Sequence, residues 1–138
     1  MLRKTILIFL LVSLTPVFSQ NLDLKFEEIT IQDGLSSNTV NDIKKDSKGF
    51  IWIATDFGIN RYDGLNFENY ISIEGNPYSL CDNMVHVILM VSPDHFLVGT
   101  ADGLNIYNSL LNRFERLLEG FEVLDIISYS KGGYLVAS

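Results

Sequence analysis

One stretch of this 138-residue chain returns, without a gap, 45 positions later. "GLSSNTVNDIKKDSKGFIWIATDFGINRYDG", Gly34 to Gly64, reappears in looser form as "SLCDNMVHVILMVSPDHFLVGTADGLNIYN", Ser79 to Asn108. Leu35 falls on Leu80, Asn38 on Asn83, Val40 on Val85 and Ile43 on Ile88. Ser47 falls on Ser92, Thr55 on Thr100, Gly58 on Gly103, Asn60 on Asn105 and Tyr62 on Tyr107. A partial third copy follows, in which Val123, Asp125 and Ile126 fall on Val40, Asp42 and Ile43. Strand-built repeats of this length belong to propellers and related arrays, because each unit must bury a face on its neighbour.

The strands of one copy can be placed from composition and turn residues. Val40 to Asp46 is extended and stops at Ser47-Lys48-Gly49. Phe50 to Thr55 is a nearly continuous run of aromatic and β-branched residues, which suits a strand covered on both faces. After Asp56-Phe57-Gly58 comes Ile59 to Tyr62, then Asp63-Gly64, then a fourth strand over Phe67 to Ile73. Four short antiparallel strands with turn residues at each joint make one propeller blade. Leu110 to Leu118 reads as hairpin and strand. A helical array fails on the β-branched content and the Asp-Gly turns. A β-sandwich also uses short strands, but it does not predict gap-free internal similarity. The expected fold is all-β: four-stranded antiparallel blades, about two and a half of them. The expected divisions are a leader over 1–19, a leading and ring-closing strand over 20–34, blades at 35–78 and 79–119, and a truncated blade at 120–138. "GGYLVAS" ends the chain on an apolar run without a closing turn, so a cut piece of a longer protein is expected.

The first residues read as a signal peptide. Arg3 and Lys4 precede an apolar run from Ile6 to Leu14, Pro16 breaks it, and Val17-Phe18-Ser19 suits a signal peptidase. A membrane anchor is the competing reading, but the run is short for a hydrocarbon core of ~30 Å. Loss of Arg3 and Lys4 takes the net charge from −7 to about −9. So acidic a chain is unsuited to nucleic acid or to an anionic membrane surface. Cys81 is the single cysteine, which excludes an internal disulfide and is read as a small buried hydrophobe.

The "LSSNTV" opening, the "D-x-x-GFIWIAT" strand and the "D-x-G-I-N-R-Y-D-G" close resemble the two-component regulator propeller repeat of hybrid sensors from Bacteroides-like bacteria. In the second copy Trp52 becomes Leu97 and Arg61 becomes Ile106. The resemblance implies an exported, periplasmic sensor segment that responds to oligosaccharides. Such sensors carry two stacked seven-bladed propellers, an immunoglobulin-like domain and an inner-membrane helix. Kinase, receiver and AraC-type domains then follow inside the cell. It further implies a homodimeric full receptor, with the remaining blades, or self-association, as partner of these ones. A small secreted interaction protein is the alternative, and a polysaccharide-acting propeller enzyme a third reading.

Alternate connections of an up-and-down sheet lie on the same edge. The lead-in loops, Leu35 to Thr39 and Leu80 to Met84, therefore share a face with the turns Asp56-Phe57-Gly58 and Ala101-Asp102-Gly103. Sugar recognition wants planar hydrogen-bonding groups and an aromatic ring on well-held loops. Ser37, Asn38, Asp56, Phe57 and Asp102 are the candidate ligand-binding residues on that edge. The same residue types also make turns, and their recurrence as repeat consensus is explained by the fold alone. Trp52 is expected in the core between blades, and Arg61 to pair with Asp63 or lie along a blade face. No catalytic motif, metal-ligand spacing or cofactor loop is present: His86 and His95 lack HExxH spacing, and there is no GxSxG, P-loop or GxGxxG. The chain is expected to be non-enzymatic.

Overall fold

The computed structural model describes residues 23–129 and 132–138. The leader, residues 1–19, lies outside them, as do Ser130 and Lys131 of the third copy's turn. Ten strands follow one another: β1 (Val40–Lys45), β2 (Ile51–Thr55), β3 (Gly58–Tyr62), β4 (Phe67–Tyr70), β5 (Val85–Ser92), β6 (His95–Thr100), β7 (Gly103–Asn108), β8 (Arg113–Glu119), β9 (Asp125–Tyr129) and β10 (Gly133–Ala137). They form two four-stranded sheets in the orders β1-β2-β3-β4 and β5-β6-β7-β8, and a two-stranded sheet of β9 and β10. Every described pairing is antiparallel. The result is all-β and a partial propeller: two complete blades and the first hairpin of a third.

The blades are held by what lies between them. Trp52, on the continuous apolar strand β2, is buried, with its ring centroid 4.7 Å from Phe96 and 4.8 Å from Tyr107 of blade 2. Tyr70, Tyr107 and Phe114 complete an aromatic cluster, joined by Ala54 and Ile59 from blade 1 and Val85, Ile88 and Val98 from blade 2. Offset and edge-on rings at these separations gain from their quadrupoles as well as from burial. Leu97 and Leu104 pack in turn on Val123, in the lead-in to β9, and on Ile126 of the third sheet. There Gly99 takes the place of Ala54, because a Cβ at Gly99 would stand 2.6 Å from Val123 Cγ1.

Polar ties cross the first boundary. Asp42 Oδ2 accepts the Ile88 amide at 2.9 Å, and the Asn41 side-chain amide donates to the Val85 carbonyl at 2.8 Å. Asn41 and Asp42 lie on β1 and their partners on β5, the first strand at the edge of each sheet, which among the described residues has no strand paired on its other side.

Two expectations need correction. The segment 20–34 contains no strand among its described residues. Instead Thr30 caps a 3-10 turn over Ile31–Asp33, with Asp33 bonding back to the Thr30 amide at 2.8 Å. This reciprocal cap ties up the Thr30 and Gln32 amides locally. The fourth strand also ends at Tyr70, short of Ile73. There the Ser72 amide turns to Asn83 Oδ1 at 2.7 Å and the Ile73 amide to Ser79 Oγ at 3.0 Å.

Candidate functional site

The lead-in loops and the β2–β3 and β6–β7 turns do meet on one edge. The Asp56 amide donates to the Thr39 carbonyl at 3.3 Å, and Gly58 donates to the Asn83 carbonyl of the next lead-in loop at 2.6 Å. On this edge the side chains of Ser37, Asn38 and Asp56 are committed to the loops themselves. Ser37 Oγ accepts the Thr39 amide at 3.1 Å, and Asn38 Oδ1 accepts the Ile31 amide at 2.9 Å. Asp56 Oδ1 accepts from the Asn41 side chain at 2.9 Å. Phe57 and Asp102 are exposed at equivalent turn tips, each with its backbone amide on the preceding threonine hydroxyl, at 3.1 and 3.4 Å. Phe57 therefore offers an aromatic ring and Asp102 a carboxylate towards solvent, about one blade apart.

Beneath this edge lies a buried polar motif whose role the sequence did not disclose. Asn60 is fully buried; its Oδ1 accepts the Ser36 amide at 2.9 Å and its Nδ2 donates to Ser36 Oγ at 2.8 Å. Asn105 does the same in blade 2, accepting the Cys81 amide at 3.0 Å and reaching the Ser79 carbonyl at 3.4 Å. Thr55 and Thr100, also fully buried, each donate to the carbonyl of the glycine that opens the next strand, both at 2.9 Å. Asparagine pins the lead-in loop and threonine closes the turn. The signal was available in the repeat, since all four recur at the 45-residue offset.

The opposite edge carries charge. Lys48 Nζ lies 3.4 Å from Asp94 Oδ1 and donates to Ser109 Oγ at 3.1 Å, while Ser109 donates to Asp94 at 3.0 Å. The Ser109 hydroxyl first, and then Lys48, hold the Asp94 carboxyl below its ordinary range. Asp63 is likewise lowered, by the backbone amides of Asn66 and Leu65 that it accepts. Arg61 pairs with Glu68 across the β3–β4 ladder and not with Asp63, whose carboxylate is occupied by its own turn. The Arg61 guanidinium lies over the Phe50 ring at 4.7 Å, so it does run along a blade face. Among the described residues no three His, Cys, Asp or Glu side chains are grouped to hold a metal ion.

Residues 34–57 match the two-component regulator propeller family. Over 62 residues the chain is 40% identical to Histidine kinase P4 of Formosa agariphila, a match spanning 45% of this chain and 4% of that one. A crystal structure of the extracellular domain assigned to a hybrid two-component system of B. thetaiotaomicron superposes with a TM-score of 0.70 at 27% identity. That match covers 81% of this chain and 17% of the other. The chain thus spans a small part of either protein's length. Its first blade carries the family match and its second carries the same buried Thr and Asn ties, so over these repeats the chain is similar to two-component regulator propellers.

Proposed function

We propose that this chain supplies blades to the exported, periplasmic sensing region of a hybrid two-component sensor. In this reading the assembled propellers bind an oligosaccharide outside the cytoplasmic membrane. The resulting change in packing between modules passes to a histidine kinase anchored in the inner membrane. A ligand can drive such a change only by binding one arrangement more tightly than the other. The observation that carries the reading is the blade fold itself, matched at 81% of the chain by an extracellular domain of this class. The acidic composition fits a compartment away from nucleic acid, and no helix among the described residues is long and apolar enough to cross a membrane.

The test is to follow the reading frame past the codon for Ser138 in the source genome, and to delete the locus. Continuation through further repeats to a membrane helix and kinase is expected, with loss of transcriptional induction by oligosaccharides in the deletion strain. An immediate stop codon with induction intact overturns the reading. The exposed apolar third sheet favours a second one in that case, a small secreted protein that assembles through it.

A further inference from the structure

The blades depart most from one another at their last hairpin. The last ladder pair is Tyr62 with Phe67 in blade 1 and Asn108 with Arg113 in blade 2, each enclosing four residues, so the second hairpin runs one rung further. That extension places Asn112, the last residue of the turn, and Arg113, the first of β8, against blade 1. Asn112 adopts φ +48, the left-handed region, and its Oδ1 accepts from the Tyr70 hydroxyl at 2.8 Å and the Tyr107 hydroxyl at 2.6 Å. The Arg113 guanidinium sits over the Tyr78 ring at 4.2 Å and is itself held by Glu115 at 2.8 Å. Between β4, residues 71–79 and β8 these groups line a cleft of about 210 Å³.

We propose that this inter-blade cleft binds a single neutral sugar ring. The proposal deepens the oligosaccharide-sensing reading above and rests on it. A pyranose offers a flat patch of C–H groups and a rim of hydroxyls. Tyr78 supplies a half-exposed aromatic ring, held by the Arg113 guanidinium over one face at little further cost in side-chain freedom. Asn69 and Asn112 supply planar amides. The Tyr70 hydroxyl spends its proton on Asn112, as does that of the buried Tyr107, which leaves the Tyr70 lone pairs to accept from ligand hydroxyls. Burial raises both phenols above their ordinary range, so they stay neutral donors. Glu115 neutralises Arg113, so the cleft selects an uncharged ring over an acidic one. Its volume is below the ~300 Å³ at which sites for larger ligands begin, which suits one ring and not a chain. Arg113 sits on the extra rung by which the blade-2 hairpin outruns that of blade 1, and Asn112 on the turn that closes it.

Saturation-transfer NMR on the 138-residue chain tests this, with methyl β-D-glucopyranoside, methyl β-D-galactopyranoside and methyl α-D-mannopyranoside as probes. Self-association only strengthens the signal. Transfer to the ring protons of at least one glycoside is expected, lost in Tyr78→Ala and in Asn69→Ala, and kept in Phe57→Ala. Both cleft variants alter exposed side chains, and circular dichroism checks that they fold. Transfer that survives both variants, or no transfer to any of the three probes, overturns the cleft. A mixed oligosaccharide hydrolysate run in parallel separates the two readings. Transfer to it that ignores Tyr78 sinks the cleft and leaves oligosaccharide sensing standing, whereas its absence together with intact induction in the deletion strain sinks both.

Discussion

At the scale of single residues, the polar side chains that recur in the repeat are the ones the fold consumes. Asn60 takes two groups of Ser36, 24 positions back, into a site with no water access. Removing its amide strands a buried backbone N–H, which costs about 1–3 kcal/mol. Asn60→Ala and Asn105→Ala are each expected to lower the unfolding free energy by that amount in urea denaturation. Phe57→Ala, on an exposed tip, stays within about 0.5 kcal/mol. Equal effects at all three positions would sink the distinction. Cys81 gives a second prediction. Burial pushes its thiol up from 9.0 to about 11, so at pH 8 the native chain holds on the order of a hundredfold less thiolate than the unfolded one. Alkylation by iodoacetamide should be slow in the native protein and accelerate up to about pH 11, while in denaturant it levels off near pH 9. The unfolded thiol ionises first, so the Cys81 contribution to stability is whole below pH 9 and declines from there towards pH 11. The identities at Thr55, Asn60, Thr100 and Asn105 were legible in the sequence. Their partners were not, because a hydrogen bond to a loop 24 residues away depends on how that loop crosses the sheet. The cleft was hidden for the same reason: Tyr70, Tyr78 and Asn112 come from two blades and the segment that joins them.

At the scale of elements, what decides a blade is how closely its strands and turns approach. Gly58 has φ +91, and a Cβ there would stand 2.4 Å from the Tyr70 carbonyl at the end of β4. Gly64 has φ +102 with nothing within 4 Å. Both positions resist a side chain by conformation, but only Gly58 adds a backbone clash. Gly58→Ala should therefore destabilise by more than ~1 kcal/mol beyond Gly64→Ala in the same urea titration. Parity between them would mean the turn shifts freely away from β4. Trp52 joins elements of different blades, and Trp52→Ala is expected to cost about 3–5 kcal/mol. Its loss should also weaken amide-exchange protection in β6 and β7, since Phe96 and Tyr107 lose their cover. Protection lost in blade 1 alone would place the indole inside one blade instead of between two. Strand order and type could be read directly because turn residues punctuate every joint. The segment before Val40 could not. Ile29 and Ile31 have strand-like spacing, but spacing does not reveal whether a neighbour exists to pair with, and the Thr30–Asp33 cap competes locally. The end of β4 was blurred similarly, since Ile71 and Ile73 continue the apolar pattern although the Ser72 and Ile73 amides have turned to side-chain acceptors.

At the scale of the whole molecule, the third sheet has no blade beyond it among the described residues. On its open face Ile127, Tyr129 and Leu135 are each more than half exposed, while Tyr134 and Val136, on the other face with Ile126, are less so. The equivalent faces of the first two blades are covered by the blades that follow them. A polypeptide of these 138 residues should hide this face by self-association, at a rate of about 25 cal/mol for each Å² of apolar surface covered. Its charge opposes that. With −7 on each copy, approach is repulsive over a Debye length of ~10 Å at 0.1 M salt. The two terms respond oppositely to salt, which screens the repulsion and leaves apolar burial intact. Sedimentation velocity should therefore show larger species as sodium chloride rises, the reverse of association through Lys–Asp pairs such as Lys48 with Asp94. Ile127→Lys with Leu135→Lys should return the chain to a monomer at every salt concentration, since each places a charge on the open face. A wild-type monomer with a sharp, reversible melt at high salt would mean that the third hairpin folds back over its own apolar side.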